Sequence, residues 1–246
     1  MQLLDHTFAS PEENLACDEA LLEAAEAGEC GEVLRFWEAR EPFVVLGYAN
    51  RAETEVNREA CAADRIKILR RASGGGTVIQ SAGCLNYALV LETQRNEALR
   101  SIRSANRFIM ERHAAALRDT PSDGGTSGGR GITVEGDTDL ALGGRKFSGN
   151  AQRRKTRFIL FHGTFLLEED VAVMEKYLRM PSRQPAYRAG RSHADFVCRL
   201  PMSCSSVKER LRSAWNADAL LEAMPEARVK LLLRDKYETS AWNLKF

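Results

Sequence analysis

Three consecutive glycines, Gly74-Gly75-Gly76, stand between two runs of β-forming residues, 66–70 and Thr77-Val78. A side-chain-free stretch of that length admits backbone angles closed to other residues and lets the main chain approach another group closely. Successive N–H groups in such a turn form a concavity for an anion. Two arginines just upstream, Arg70 and Arg71, are of the type that pairs with a phosphate or carboxylate. The plain alternative is a tight hairpin turn with two surface arginines. The segment is neither a P-loop, since no Gly-Lys-Ser/Thr follows, nor a dinucleotide fingerprint, since a strand rather than a helix is expected after it.

The rest of the chain alternates between the two periodicities without a regular β-α rhythm. Leu15, Ala16, Ala20, Leu21 and Ala24 recur at helical spacing behind Ser10-Pro11, which predicts a helix over 12–27. Helices are also expected over 104–117, 171–179 and 207–215, and strands over 33–37, 43–47, 66–70, 85–92 and 158–167. Leu140-Ala141-Leu142, Gly143-Gly144 and Lys146-Phe147-Ser148 read as strand, turn and strand, a hairpin. Residues 121–131 are dense in Gly, Ser and Asp and read as a loop. This mixture favours an α+β fold over a doubly wound parallel sheet. One domain over 1–246 is expected, with 180–246 as a candidate C-terminal subregion and no large accessory domain after it.

Bulk properties exclude more than they identify. A formal net charge of +1 gives no general case for nucleic acid or a membrane surface as partner. No segment has the apolar length of a membrane span, and the start lacks the pattern of a signal peptide. The six cysteines form no paired Cys-x-x-Cys motif, so neither a structural zinc nor a disulfide framework is expected, and the cytoplasm is the default location.

Lys146 follows the Gly143-Gly144 turn and precedes the small residues Ser148-Gly149. An ammonium placed there could hold a phosphate and a carboxylate together and stabilise developing charge; a solvated hairpin lysine is the plain reading. From Arg145 to Arg157 there are six Lys/Arg and no acid, a solvated face or a site for an acidic or nucleotide partner. His162 in an apolar strand and His113 on a helix read as structural, and Cys84 as a small buried cysteine. The basic stretch 183–192 is either a plain surface loop or a cover over a ligand or partner.

Arg70-Arg71-Ala72-Ser73-Gly74-Gly75-Gly76-Thr77-Val78, followed by Gly83 and Asn86, resembles the glycine-loop signature of the lipoate–protein ligase A family. Residues 139–151, followed by His162-Gly163-Thr164, resemble that family's lysine segment and the strand after it. Asn14-Leu15-Ala16 with Glu19, the Trp37 strand, and Lys236-Tyr237 with Trp242-Asn243 extend the likeness over nearly the whole chain. The resemblance implies a catalytic domain shared with biotin–protein ligases, with a mixed, largely antiparallel sheet and flanking helices. It implies a ligase that turns lipoate and ATP, with Mg²⁺, into lipoyl-AMP. The lipoyl group then passes to a lysine of a lipoyl domain or a glycine-cleavage H-type acceptor protein. By the same resemblance, Lys146 would bind the lipoyl carbonyl and phosphate. Arg71 and the backbone of Gly75, Gly76, Thr77, Val78 and Ile79 would wrap the acyl-phosphate and nucleotide. Ser73, Gly74 and Asn86 belong to the same substrate- and ATP-binding set, Asp139 would face the adenylate or its metal, and Gly149, Asn150 and Ala151 would line the pocket. No metal bound by a protein cluster is expected. Gln80-Ser81 stand where the family often has His-Asp. The superfamily also contains ATP-independent octanoyl or lipoyl transferases, some with a cysteine nucleophile shortly before the aspartate; residues 131–138 contain none. A non-catalytic lipoyl-binding module and a separate accessory polypeptide complete the alternatives.

Overall fold

The computed structural model describes residues 1–118, 131–168 and 170–246. Most of the Gly/Ser/Asp-rich 121–131 loop lies outside them.

Eleven strands are present among the described residues: β1 (Gln2–Asp5), β2 (Val33–Glu38), β3 (Phe43–Leu46), β4 (Lys67–Arg70), β5 (Val78–Gln80), β6 (Cys84–Glu92), β7 (Ile132–Glu135), β8 (Asp139–Leu142), β9 (Arg145–Arg154), β10 (Phe158–Leu166) and β11 (Ala219–Leu220). Eight of them form one sheet in the order β11-β1-β2-β6-β10-β9-β8-β7, and β4-β3-β5 form a small second sheet. In the large sheet only β1 pairs in parallel, with β11 and β2. The fold is therefore α+β, with a mixed, largely antiparallel sheet and helices on both faces. As expected, β5 rather than a helix follows the glycine run.

Helix Pro11–Ala27 covers one face. Ser10 and Glu13 form a reciprocal capping box, Pro11 occupies the first turn, and Gly28 ends the helix at φ 80°. Its Leu15, Leu21 and Leu22 pack with Val33, Ala88, Val90 and Leu160 of the sheet. Helices Ile102–Arg118 and Cys204–Trp215 cover the other face, with Ile109, Met110, Leu211 and Trp215 against Phe36, Tyr87, Leu140 and Phe161. The central strands β2, β6 and β10 alternate between these two cores, as a sheet buried on both faces requires.

Strand register builds the platform for the site. Trp37 pairs with Asn86, Asn86 with Thr164, Thr164 with Gly149, and Gly149 with Asp139, one row across five strands. Two residues along, Arg35, Ala88, His162 and Ala151 form a second row. Cross-strand partners project from the same face, and so do residues two apart. Both rows thus belong to the face under helix Pro11–Ala27.

Candidate functional site

A bulge brings Lys146 onto that face. In the β8–β9 pair, Leu140 faces Ser148 but Ala141 faces Lys146, so Phe147 is one extra residue. Strict alternation would put Phe147 on the side of Gly149 and Lys146 on the other. One extra residue reverses the parity. Phe147 is instead fully buried with Leu140 in the opposite core, and Lys146 turns toward the site. Its Nζ lies 2.8 Å from Oδ1 of Asp139, whose Oδ2 accepts the Tyr187 hydroxyl at 2.7 Å. A Cβ at Gly149 would sit 2.7 Å from Cε and Nζ of Lys146; the glycine leaves room for the lysine stem. Burial first, then Asp139 beside it, pushes the Tyr187 phenol far up, which keeps it a hydrogen-bond donor.

The glycine loop closes from the small sheet. Gly75 has φ 86°, a left-handed angle that favours glycine, and a Cβ there would meet Arg71 Nη2 at 2.9 Å. Gly47 packs so close that a Cβ would lie 2.1 Å from the Gly75 carbonyl oxygen. Arg71 donates to the carbonyls of Gly74 (2.6 Å) and Gly76 (2.8 Å). Burial pushes its guanidinium down to about 10, still charged at neutral pH. Arg70 differs. It is fully buried and donates to the carbonyls of Gly47, Tyr48, Asn50 and Trp242, while its own backbone bonds Asn243 and Trp242. Of the two arginines, Arg71 alone reaches the cavity.

That cavity has a volume of about 320 Å³, the scale of small-ligand sites. Arg71, Gly75, Gly76, Thr77, Val78, Asn86, Asp139, Lys146, Gly149, Asn150 and Ala151 all line it. Its inner wall adds Leu15, Trp37, Val45 and Tyr87, an apolar stretch. A smaller cavity of about 100 Å³ adjoins it, walled by Val78, Ile79, Leu166, Met174, Leu178 and Phe196. Lys146, Gly149, Thr77 and Val78 border both. Ser73 and Gly74 line neither; Ser73 is 1% exposed and supports the loop from behind. The 183–192 stretch contributes Arg183, Pro185 and Arg188 to the larger cavity.

Buried polar side chains fix this wall. Gln80, Thr164 and Asn86 form a closed ring in which Gln80 donates to Thr164 (2.7 Å), Thr164 to Asn86 (2.6 Å) and Asn86 to Gln80 (3.0 Å). Gln80 thus uses both ends of its amide within the wall. Asn150 accepts from the Tyr87 hydroxyl at 2.6 Å and donates to the Thr138 carbonyl at 2.6 Å.

Sequence reasoning missed Asp18 and set His162 aside as structural; both line the larger cavity. His162 Nδ1 lies 3.1 Å from Asp18 Oδ2, its Nε2 lies 2.5 Å from Ser73 Oγ, and Arg35 Nη1 lies 2.5 Å from Asp18 Oδ1. Arg71 Nε also donates to Ser73 Oγ, at 3.1 Å, so the serine links the histidine to the glycine-loop arginine. Although this resembles a nucleophilic triad, the serine is sealed and does not face the cavity. Burial raises the Asp18 pKa, but Arg35 and His162 outweigh it and hold the carboxyl below its ordinary range. The exposed signal was an Asp at helical spacing among apolar residues of 12–27.

No cysteine lines either cavity among the described residues. Cys84 is buried, as expected, and burial pushes the Cys17 thiol up to about 11. No group of three metal-ligating side chains occurs among the described residues, and none of their helices is long and apolar enough to cross a membrane.

A family model for the lipoyl protein ligase A/B catalytic domain matches residues 10–227. Octanoyltransferase LipM of Carboxydothermus hydrogenoformans is 27% identical over 100% of this chain and 98% of its own length. A crystal structure of lipoate-protein ligase A bound with ATP superposes with a TM-score of 0.76 at 26% identity, covering 99% of this chain and 98% of that one. Protein Ta0514 of T. acidophilum, with bound lipoic acid, gives 0.77 at 25%, covering 100% and 99%. The chain belongs to the lipoyl protein ligase A/B catalytic domain family and is an enzyme of the lipoate ligase and octanoyltransferase group.

Proposed function

We propose that this enzyme is an ATP-dependent lipoate–protein ligase. Lipoate and ATP give lipoyl-AMP and pyrophosphate, and the lipoyl group then passes to the ε-amine of a lysine on a lipoyl-domain or glycine-cleavage H-type acceptor. The observation that carries this reading is the position of Lys146 where a larger, partly apolar cavity meets a smaller apolar one. An acyl-adenylate has that outline: an acyl chain and a base on either side of one acyl-phosphate.

In this reading the acyl chain lies along Trp37, Val45 and His162, and the base enters between Ile79 and Met174. Lys146 bridges the lipoyl carbonyl and α-phosphate. Asp139 and Tyr187 hold the ammonium at the junction before the anion arrives. Arg71 and the loop 75–79 supply the remaining positive field, with Gly149, Asn150 and Ala151 as the floor. Positioning and electrostatics suffice, because the adenylate is itself the activated acyl donor. Mg²⁺ would arrive on the triphosphate rather than in a protein cage.

The names of relatives such as that of C. hydrogenoformans favour a second reading, ATP-independent octanoyl transfer between carrier proteins. Against a cysteine-borne version of it stands the lack of a lining cysteine among the described residues. Isotope exchange separates the two readings. A ligase moves labelled pyrophosphate into ATP only when lipoate or octanoate is present. A pure transferase leaves ATP unlabelled and reacts with octanoyl-carrier protein.

A further inference from the structure

Glu55 ends the short helix Ala52–Glu55 and is 3% exposed. Its Oε1 accepts from both the backbone N–H and the hydroxyl of Ser182, and its backbone carbonyl accepts from the Arg179 N–H at 3.0 Å. These bonds tether the segment after helix Val171–Tyr177. They do not explain a carboxylate. A neutral amide oxygen would accept the same two bonds without burying a charge. Among the described residues Glu55 forms no ion pair, and none donates to its Oε2. It is also the only carboxylate lining the smaller cavity among the described residues, where aliphatic side chains such as Ile79, Leu166 and Leu178 share the wall with the cations Lys146, Arg179 and Arg188.

The geometry points to Glu55 as the residue that selects the nucleotide base, its Oε2 accepting an N–H from the exocyclic 6-amino group of an adenine. This rests on the nucleotide reading given above. Adenine carries a donor at that position, whereas guanine and hypoxanthine carry a carbonyl oxygen. Two desolvated acceptors facing each other have no proton to share, and each is left unsatisfied. Because Ser182 occupies Oε1, a single carboxylate oxygen remains. One oxygen matches one exocyclic amine; the paired N1–H and N2–H groups of guanine call for two.

The test uses the full chain in lipoate-dependent pyrophosphate exchange, with ATP or inosine triphosphate as the nucleotide. The wild-type enzyme is expected to prefer ATP in kcat/KM by about 10- to 100-fold, the range of a well-placed base contact. Glu55→Gln presents an amide N–H to the 6-position, so the preference falls by at least about tenfold, through a loss with ATP and a gain with inosine triphosphate. Ser182→Ala loosens the tether, lowers both nucleotides by the same factor and leaves the ratio in place. Equal use of the two nucleotides by the wild type overturns the assignment even if Glu55→Gln does not fold. So does a folded Glu55→Gln that loses both activities equally, which would leave Glu55 a tether only. Exchange with neither nucleotide is a separate outcome: it overturns the nucleotide reading, and base selection with it.

Discussion

Lys146 Nζ and Asp139 Oδ1 lie 2.8 Å apart on neighbouring strands, at the boundary of the two cavities. The pair is partly exposed, the side chains at 25% and 12%, so its contribution to folding is small, about 1 kcal/mol or less. Its value lies in placing one positive charge. Lys146→Ala is therefore expected to keep the fold, with a thermal midpoint within a few degrees of the parent, and to lose at least about 100-fold in acyl activation. Thermal denaturation and steady-state kinetics on the same preparation check both halves. Unchanged turnover would remove Lys146 from the chemistry.

Gly75 lies in the left-handed region, and its absent side chain faces Arg71. In Gly75→Val the branched side chain adds strain of about 1–2 kcal/mol and displaces the guanidinium from the cavity wall. Titration calorimetry should show ATP binding weakened by more than tenfold, and lipoate binding weakened less. Normal affinity for both would mean that the loop does not hold the nucleotide.

Asp18 joins Arg35 to His162 beneath the larger cavity. Its folded-state pKa is lowered, so its contribution is present above the unfolded carboxylate value near 4 and fades as pH falls through the folded value. Asp18→Asn leaves the buried Arg35 without its counter-charge and should cost about 3–5 kcal/mol at neutral pH. The mutant should also lack the part of the acid-limb decline that Asp18 supplies below about pH 4. Urea denaturation of both proteins from pH 7 to pH 3 measures this, and parallel curves would show that Asp18 does not carry the dependence.

Much of this site was legible because its parts are backbone features or lie at short spacing. The glycine run, the capped helix behind Ser10 and the β8–β9 hairpin each announce themselves locally. What stayed hidden depends on register. Arg70 and Arg71 look alike in sequence, yet Arg70 ends β4 and is consumed by the carbonyls of Gly47, Tyr48, Asn50 and Trp242, and only Arg71, just past the strand, reaches the cavity. Nothing local marks the extra residue Phe147, although that bulge is what turns Lys146 toward Asp139. Asp18, His162 and Ser73 lie far apart along the chain and meet only through the pairing of β10 with its neighbours and the packing of helix Pro11–Ala27. Glu55 was invisible for the same reason: its partner Ser182 sits in a stretch with no periodicity at all.

The most direct measurement is a crystal structure of the enzyme soaked with lipoate and ATP. The acyl chain is expected along Trp37 and His162, the base between Ile79 and Met174, and Lys146 Nζ within hydrogen-bonding distance of both the acyl carbonyl and the α-phosphate. Nucleotide bound away from the glycine loop, or an acyl group whose carboxyl end lies out of reach of Lys146, would contradict the account.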